Sequence, residues 1–252
     1  MRYRVTRITR RARKALRPLT PRGLVHRAGL RGELAWWRGY IETQGGDWPE
    51  DLRYRLDPDA PLIEPLIADR LGRFDGASVR ILDVGAGPVS VLGKTHGEVR
   101  LDITAVDPLA AQYATLLADA GIEPSVRTQA CRGEDVAQRF GPAAFEVAYS
   151  RNAVDHSADP LAIVRAMLTT VVPGGFVALR HYQCEAENNG YIDLHNWNFD
   201  VDGEALLIWG PYGRHDVGAE LAGEASVTCW LAEESSHAPW VCAVIDKPGG
   251  TL

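Results

Sequence analysis

Two stretches of the chain hold side chains able to move protons or grip a ligand. Residues 150–160 read SRNAVDHSADP and set Asp155 beside His156 just past an apolar run. A carboxylate next to an imidazole is suited to orienting a general base, so His156 is the expected base and Asp155 its partner. Residues 181–199, HYQCEAENNGYIDLHNWNF, pack His, Asn, acids and aromatics into one segment without regular periodicity. Long irregular connections of this kind usually serve function. Asp155, His156, His181 and Glu185 can also converge on a divalent cation such as Mg²⁺. Upstream, Arg80 to Ser90 reads RILDVGAGPVS, an apolar strand entering an acid and a Gly-x-Gly turn. Gly85 and Gly87 allow a ligand to approach the backbone closely. Asp107 ends the next apolar run, LDITAVDP at 101–108, where a carboxylate can accept hydrogen bonds from both hydroxyls of a ribose.

These residues need a frame that brings strand tips together. From residue 78 onward, β-branched runs alternate with helical segments, the pattern of crossover units around a parallel sheet. Strands are predicted at 80–84, 102–106, 123–128, 145–149 and 175–181, with helices at 89–92, 109–120, 133–140 and 160–168. Two further strands, 225–231 and 240–246, are joined by a polar turn and predict a closing hairpin. Ahead of this core, 32–44 and 61–71 read as helices separated by the Trp-, Gly- and Pro-rich stretch 45–58. The resulting division is a basic leader (1–32), a helical cap or lid (33–77) and a catalytic domain (78–252), with an acceptor loop at about 181–215.

Charge separates the leader from the rest. Residues 1–32 carry 11 of the 27 basic residues and none of the 33 acidic ones. Arginines alternating with Val5, Ile8, Ala12 and Leu16 would form a basic amphipathic helix able to lie on anionic lipid. The acidic remainder disfavours a broad nucleic-acid surface. Four widely spaced cysteines, no CxxC pair, no secretory signal and no apolar run of spanning length point to a reducing, cytoplasmic setting, with peripheral membrane contact through the leader.

Through DVGAGP, AVDP, the turn GEDV at 133–136 and FEVAYSRNAVDH at 145–156, the chain resembles the class I S-adenosylmethionine-dependent methyltransferases. The resemblance implies an α/β, Rossmann-like fold: a seven-stranded, mostly parallel sheet in order 3-2-1-4-5-7-6, with helices on both faces. It implies S-adenosylmethionine as cofactor, with Gly85 and Gly87 beneath the methionine end and Asp83 orienting its amino group. Asp107, with Pro108 behind it, would hold the ribose. Gly133 and Glu134 would lie beside adenine, and Ser150, Arg151 and Asn152 would line the sulfonium. Arg132 departs from the family, since many relatives carry an acid there.

Transfer to oxygen needs a proton removed from the acceptor, the expected task of His156, Asp155 and His181. Tyr191 and Trp197 offer flat faces, and Glu185 and His195 offer hydrogen bonds, which suits a polyhydroxylated small molecule such as a sugar. Three alternatives are weighed. A nucleic-acid methyltransferase usually has an Asn/Asp-Pro-Pro-aromatic signature where SRNAVD stands. An NAD(P)-dependent oxidoreductase fits less well because Ser90 replaces the third small residue of the glycine motif. A non-catalytic cofactor-binding partner would have no use for the base and the polar acceptor segment.

Overall fold

The computed structural model describes residues 22–76, 78–233 and 238–250. Most of the basic leader, residues 1–21, lies outside the described residues, and so does its expected lipid-binding helix. In chain order the elements are helices α1 (Arg22–Glu42), α2 (Pro49–Leu56) and α3 (Pro65–Ala68), then strands β1 (Ser78–Val84), β2 (Thr95–His96) and β3 (Val99–Asp107). Helix α4 (Ala110–Asp119), β4 (Gln129–Ala130), α5 (Val136–Phe140), β5 (Phe145–Arg151), α6 (Pro160–Thr170) and β6 (Val171–Tyr182) follow. The last part holds α7 (Glu185–Asn188), β7 (Asn198–Asp202), β8 (Ala205–Gly210), β9 (Gly213–Asp216), α8 (Val217–Glu220), β10 (Ser226–Ala232) and β11 (Trp240–Asp246).

The main sheet runs β10-β11-β6-β5-β1-β3, with the two-residue strands β4 and β2 both paired to β3. Apart from β2, this is the expected seven-strand order. β1 pairs in parallel with β3 and β5, and β5 with β6, whereas β11 runs antiparallel to β6 and β10. Alternate residues of β1 feed two cores. Leu82 and Val84 join Ala148, Val164 and Leu179 on one face, while Val79 and Ile81 join Val147, Tyr149, Phe176 and Ala178 on the other. Burial on both faces explains why these strands read as unbroken apolar runs. A third cluster packs α1 on α4 through Trp37, Tyr40, Ile41, Tyr113, Leu116 and Leu117.

Several expected boundaries move, each for a local reason. No helix forms at 89–92, because the Ser90 hydroxyl donates to Asp83 and accepts the Leu92 N–H, diverting the backbone from a helical turn. The strand expected at 123–128 shrinks to Gln129–Ala130, downstream of Pro124, which has no N–H to give a ladder. Pro65 interrupts the helix expected over 61–71; α3 starts there instead, capped by the Glu64 side chain on the Leu66 N–H. The stretch 45–58, read as a connection, contains α2. A domain boundary at 32/33 would fall inside α1, which is continuous from Arg22 to Glu42.

The largest correction concerns 181–215. Rather than a loop, it builds α7 and a second antiparallel sheet, β7-β8-β9, whose Phe199, Leu206 and Ile208 enter the main core. Among the described residues no helix is long and apolar enough to cross a membrane.

Candidate active site

The tips of β1, β3 and β5 meet where the glycine turn leaves β1. Gly85 and Gly87 have φ of +74° and +66°, the left-handed region that glycine enters without strain. Space enforces the choice as well. A Cβ on Gly85 would stand 2.2 Å from Ala153 Cβ, and one on Gly87 would stand 2.6 Å from the Trp37 ring. Helix α1 therefore lies directly over the turn, with the Trp37 indole N–H donating to Glu33 at 2.9 Å. No local pattern marks Glu33, whose role depends wholly on where α1 docks.

Asp107 sits at the tip of β3, 7% exposed. Its Oδ1 accepts from the Leu109 N–H at 2.8 Å and its Oδ2 from the Gly87 N–H at 3.2 Å. Burial pushes its pKa up to about 6 in spite of those two bonds. A carboxylate has roughly four acceptor positions, so capacity remains for two hydroxyl donors. Such donors would relieve the poor solvation of its charge. Asp83 is also pushed to about 6 by burial, against a 2.6 Å hydrogen bond from Ser90 and the charges of Arg55 and Lys94. The under-solvated acid at the β3 tip suits a ligand that donates from two hydroxyls, while the space a Cβ would fill at Gly85 and Gly87 is taken by Ala153 and Trp37.

Other expected cofactor contacts are committed to the scaffold. The Ser150 hydroxyl donates to the Val84 carbonyl at 2.7 Å, tying β5 to β1. Arg151 turns to the opposite face, its guanidinium 4.8 Å from the Trp240 ring centre, and lines a cavity of about 380 Å³ with Tyr54, Glu64, Tyr149 and Arg180. Asn152, at φ +48°, accepts the Tyr182 N–H through Oδ1 and fixes the β5 and β6 ends. Gly133 packs on α6, where a Cβ would lie 2.8 Å from Ile163. Glu134 pairs with Arg132 at 3.3 Å, so the departure noted in the sequence occupies the acid that the resemblance would set beside adenine. Pro108 follows Asp107 into the turn that opens α4.

Across the turn, a 3₁₀ turn at Val154–His156 presents Asp155 and His156. The Asp155 side chain is 3% exposed and faces three imidazoles. His195 Nδ1 lies 2.9 Å from its Oδ2, His156 Nε2 lies 3.5 Å from the same oxygen, and His181 Nδ1 lies 3.7 Å from Oδ1. Burial alone would raise the Asp155 pKa, but the three histidines hold it well below the usual carboxylate range. His181 is fully interior, stacked at 3.9 Å on Phe199, and burial lowers its pKa. It therefore supports Asp155 from behind and offers no face to an acceptor. Burial would lower the His195 pKa too, yet its bond to Asp155 and the charges of Asp155, Glu185 and Glu33 raise it. His195, read from the sequence as an acceptor contact, thus joins the acid–imidazole cluster. The Asp155 carbonyl accepts from the N–H groups of Asn196 and Trp197, stitching the His195 segment onto the 3₁₀ turn.

The two aromatic platforms expected for the acceptor are absent. Tyr191 and Trp197 are 2% and 3% exposed; the Trp197 indole donates to the Ser157 carbonyl, and the Tyr191 hydroxyl accepts from Asn198. Their mixed character serves a buried seam between the two sheets. Glu185 remains half-buried beside His195, with burial raising its pKa.

Residues 82–179 match the family model described as "Methyltransferase domain". A "Ubiquinone biosynthesis O-methyltransferase" of Cronobacter sakazakii is 29% identical over 187 residues, covering 72% of this chain and 67% of that protein. The protein of the same name from Xanthomonas euvesicatoria pv. vesicatoria is 31% identical over 106 residues, covering 41% of this chain and 43% of that one. The chain thus spans about half to two thirds of the length of the curated relatives it matches. Among solved structures, 1,6-didemethyltoxoflavin-N1-methyltransferase of Burkholderia thailandensis, with 1,6-didemethyltoxoflavin and S-adenosylhomocysteine bound, aligns with 85% of this chain and 88% of its own at 17% identity and a TM-score of 0.43. Strand order, glycine turn and family match agree: residues 82–179 are similar to a methyltransferase domain, on a sheet with the strand order of the class I methyltransferases.

Proposed function

We propose that this chain transfers a methyl group from S-adenosylmethionine to a hydroxyl oxygen of a small-molecule acceptor. The observation that carries the reading is the juxtaposition of the glycine turn with the Asp155 cluster. Ala153 packs on Gly85, and Asp155 follows two residues later at the same rim. S-adenosylmethionine supplies an electrophilic methyl carbon on a sulfonium. Asp107 holds the ribose hydroxyls, the turn at Gly85 and Gly87 admits the methionine end, and α1 with Trp37 keeps water from the bend. The acceptor hydroxyl loses its proton at the Asp155, His156 and His195 cluster, whose carboxylate stabilises an imidazolium as it forms.

Oxygen as the acceptor atom is supported by the names of the curated relatives, both O-methyltransferases. The sugar reading loses its aromatic platforms, so the acceptor is a hydroxyl compound that reaches His156, His195 and Glu185 at the rim. The test incubates the purified chain with S-adenosylmethionine and a panel of catechols, hydroxyquinol precursors and nucleotide sugars, scoring methyl ether and S-adenosylhomocysteine together. His156→Ala should lower kcat by roughly 10²- to 10⁴-fold, the usual contribution of a positioned proton acceptor. Cofactor binding without turnover on any acceptor would point to a non-catalytic partner instead. A thermal shift with NAD(P) but not with S-adenosylhomocysteine would overturn the cofactor reading as well.

A further inference from the structure

The atoms that meet at Asp155 leave one another imperfectly satisfied. His195 Nδ1 is 2.9 Å from Asp155 Oδ2 and 3.3 Å from His156 Nε2, which is itself 3.5 Å from the same Oδ2. If both ring nitrogens carry protons, two N–H groups face each other; if one does, a single proton must serve two contacts. The second carboxylate oxygen, Oδ1, is buried and makes no hydrogen bond. Buried polar atoms in this condition are uncommon and mark strain or a missing partner.

A cation resolves the crowding among Asp155 Oδ2, His195 Nδ1 and His156 Nε2. The circumcentre of the triangle set by those three separations is about 1.9 Å from each atom, so an ion displaced slightly from its plane would lie about 2.0 to 2.2 Å from all three. That is the range of imidazole and carboxylate bonds to zinc-like ions. The surrounding shell suits a metal as well. The other nitrogen of His156 faces the Glu33 carboxylate at 3.9 Å, and His181 backs Oδ1 at 3.7 Å. A carboxylate behind a ligating histidine raises its basicity and fixes its ring. The frame is built in advance, since the Asp155 carbonyl receives the N–H groups of Asn196 and Trp197.

We propose that Asp155, His156 and His195 form a binding site for one divalent transition ion of the Zn²⁺, Mn²⁺ or Co²⁺ class. Two imidazoles and one carboxylate suit such ions, whereas Mg²⁺ prefers an all-oxygen, largely hydrated shell. The site differs from the set expected from sequence: His195 takes the place of His181, and Glu185 stands outside the triangle. The His156 and His195 side chains are 18% and 24% exposed, so coordination positions stay open to an incoming oxygen. Three protein ligands with an open position are the pattern of a reactive metal site rather than a structural one. The inference deepens the methyl-transfer reading and rests on it for its purpose. With the ion bound, His156 and His195 would serve as ligands rather than proton acceptors, and the ion would lower the pKa of the acceptor hydroxyl so that its proton leaves to solvent. The ion's binding is measurable without cofactor or acceptor.

The experiment titrates the untagged, chelator-stripped full chain with Co²⁺, following visible d–d absorption and calorimetric heat. One equivalent should bind per chain with an imidazole-containing spectrum, and Zn²⁺ should displace it while millimolar Mg²⁺ does not. His156→Ala and His195→Ala should each weaken Co²⁺ binding by at least about tenfold, with unchanged circular dichroism, and His96→Ala should leave it unaltered. Asp155→Asn, nearly isosteric, should also lose the ion and provides a second variant if a histidine replacement disturbs folding. No saturable Co²⁺ uptake, uptake retained in both histidine variants, or equal competition by Mg²⁺ would overturn the proposal. Any of these results leaves the methyl-transfer reading standing, and failure to bind S-adenosylhomocysteine leaves the ion site standing.

Discussion

Asp107 gives the sharpest test of the cofactor pocket because its environment couples ligand binding to pH. Its pKa is raised from 3.8 to about 6, chiefly by burial. A shift of about two units corresponds to about 3 kcal/mol against the ionised form. The sign follows from linkage. A carboxyl whose pKa is raised on folding costs the fold nothing below about pH 4; the penalty grows between about pH 4 and 6 and is complete above 6. Ribose hydroxyls donate to the ionised form, so S-adenosylhomocysteine should draw the pKa back toward 4. Apparent affinity should then fall roughly ninefold between pH 7 and pH 5, as the unliganded site takes up a proton that the complex does not. Asp107→Ala removes both acceptors. With hydrogen bonds to a charged group worth about 1.5 to 3 kcal/mol each, Kd should rise at least about 100-fold. Calorimetry at pH 5, 6 and 7 on both proteins reads the two effects. The variant should lose most of the pH dependence, and any remainder reports Asp83, whose pKa is also about 6. A flat wild-type profile, or Asp107→Ala binding within threefold of wild type, would refute the ribose assignment.

Other outcomes follow from packing. Gly85→Ala combines a 2.2 Å approach to Ala153 with φ of +74°, so thermal denaturation should show a loss of about 2 kcal/mol or more, and an unchanged Tm would refute the close approach. Trp197→Ala should destabilise the chain by about 3 to 5 kcal/mol in urea unfolding, because the indole fills the main core; a normal midpoint with a raised acceptor KM would restore it as an acceptor platform. Glu64→Gln should cost about 3 to 5 kcal/mol, since Glu64 accepts from the buried Arg180 at 3.2 Å and from the Tyr149 hydroxyl at 2.8 Å; stability within 1 kcal/mol of wild type would mean that Arg180 finds other partners.

What the sequence determined by itself was the part of the molecule governed by short-range pattern. A strand running into Gly-x-Gly, an acid ending the following strand, and apolar runs buried on two faces are local signals, and they led to the parallel sheet and the positions of Gly85, Gly87 and Asp107; the strand order came only with the family resemblance that those motifs carry. Asp155 and His156 were legible too, because they follow β5 directly. The partners of Asp155 were decided in three dimensions. His181 sits near the end of β6 and His195 near the end of the segment that joins β6 to β7, and only the packing of the second sheet covers one and brings the other to the carboxylate. Tyr191 and Trp197 looked like binding faces for the same reason: composition records that an aromatic ring is amphipathic, but burial against another sheet decides which side it uses. Glu33 depends on the docking of α1 over the glycine turn, a contact between segments some fifty residues apart that no local spacing encodes.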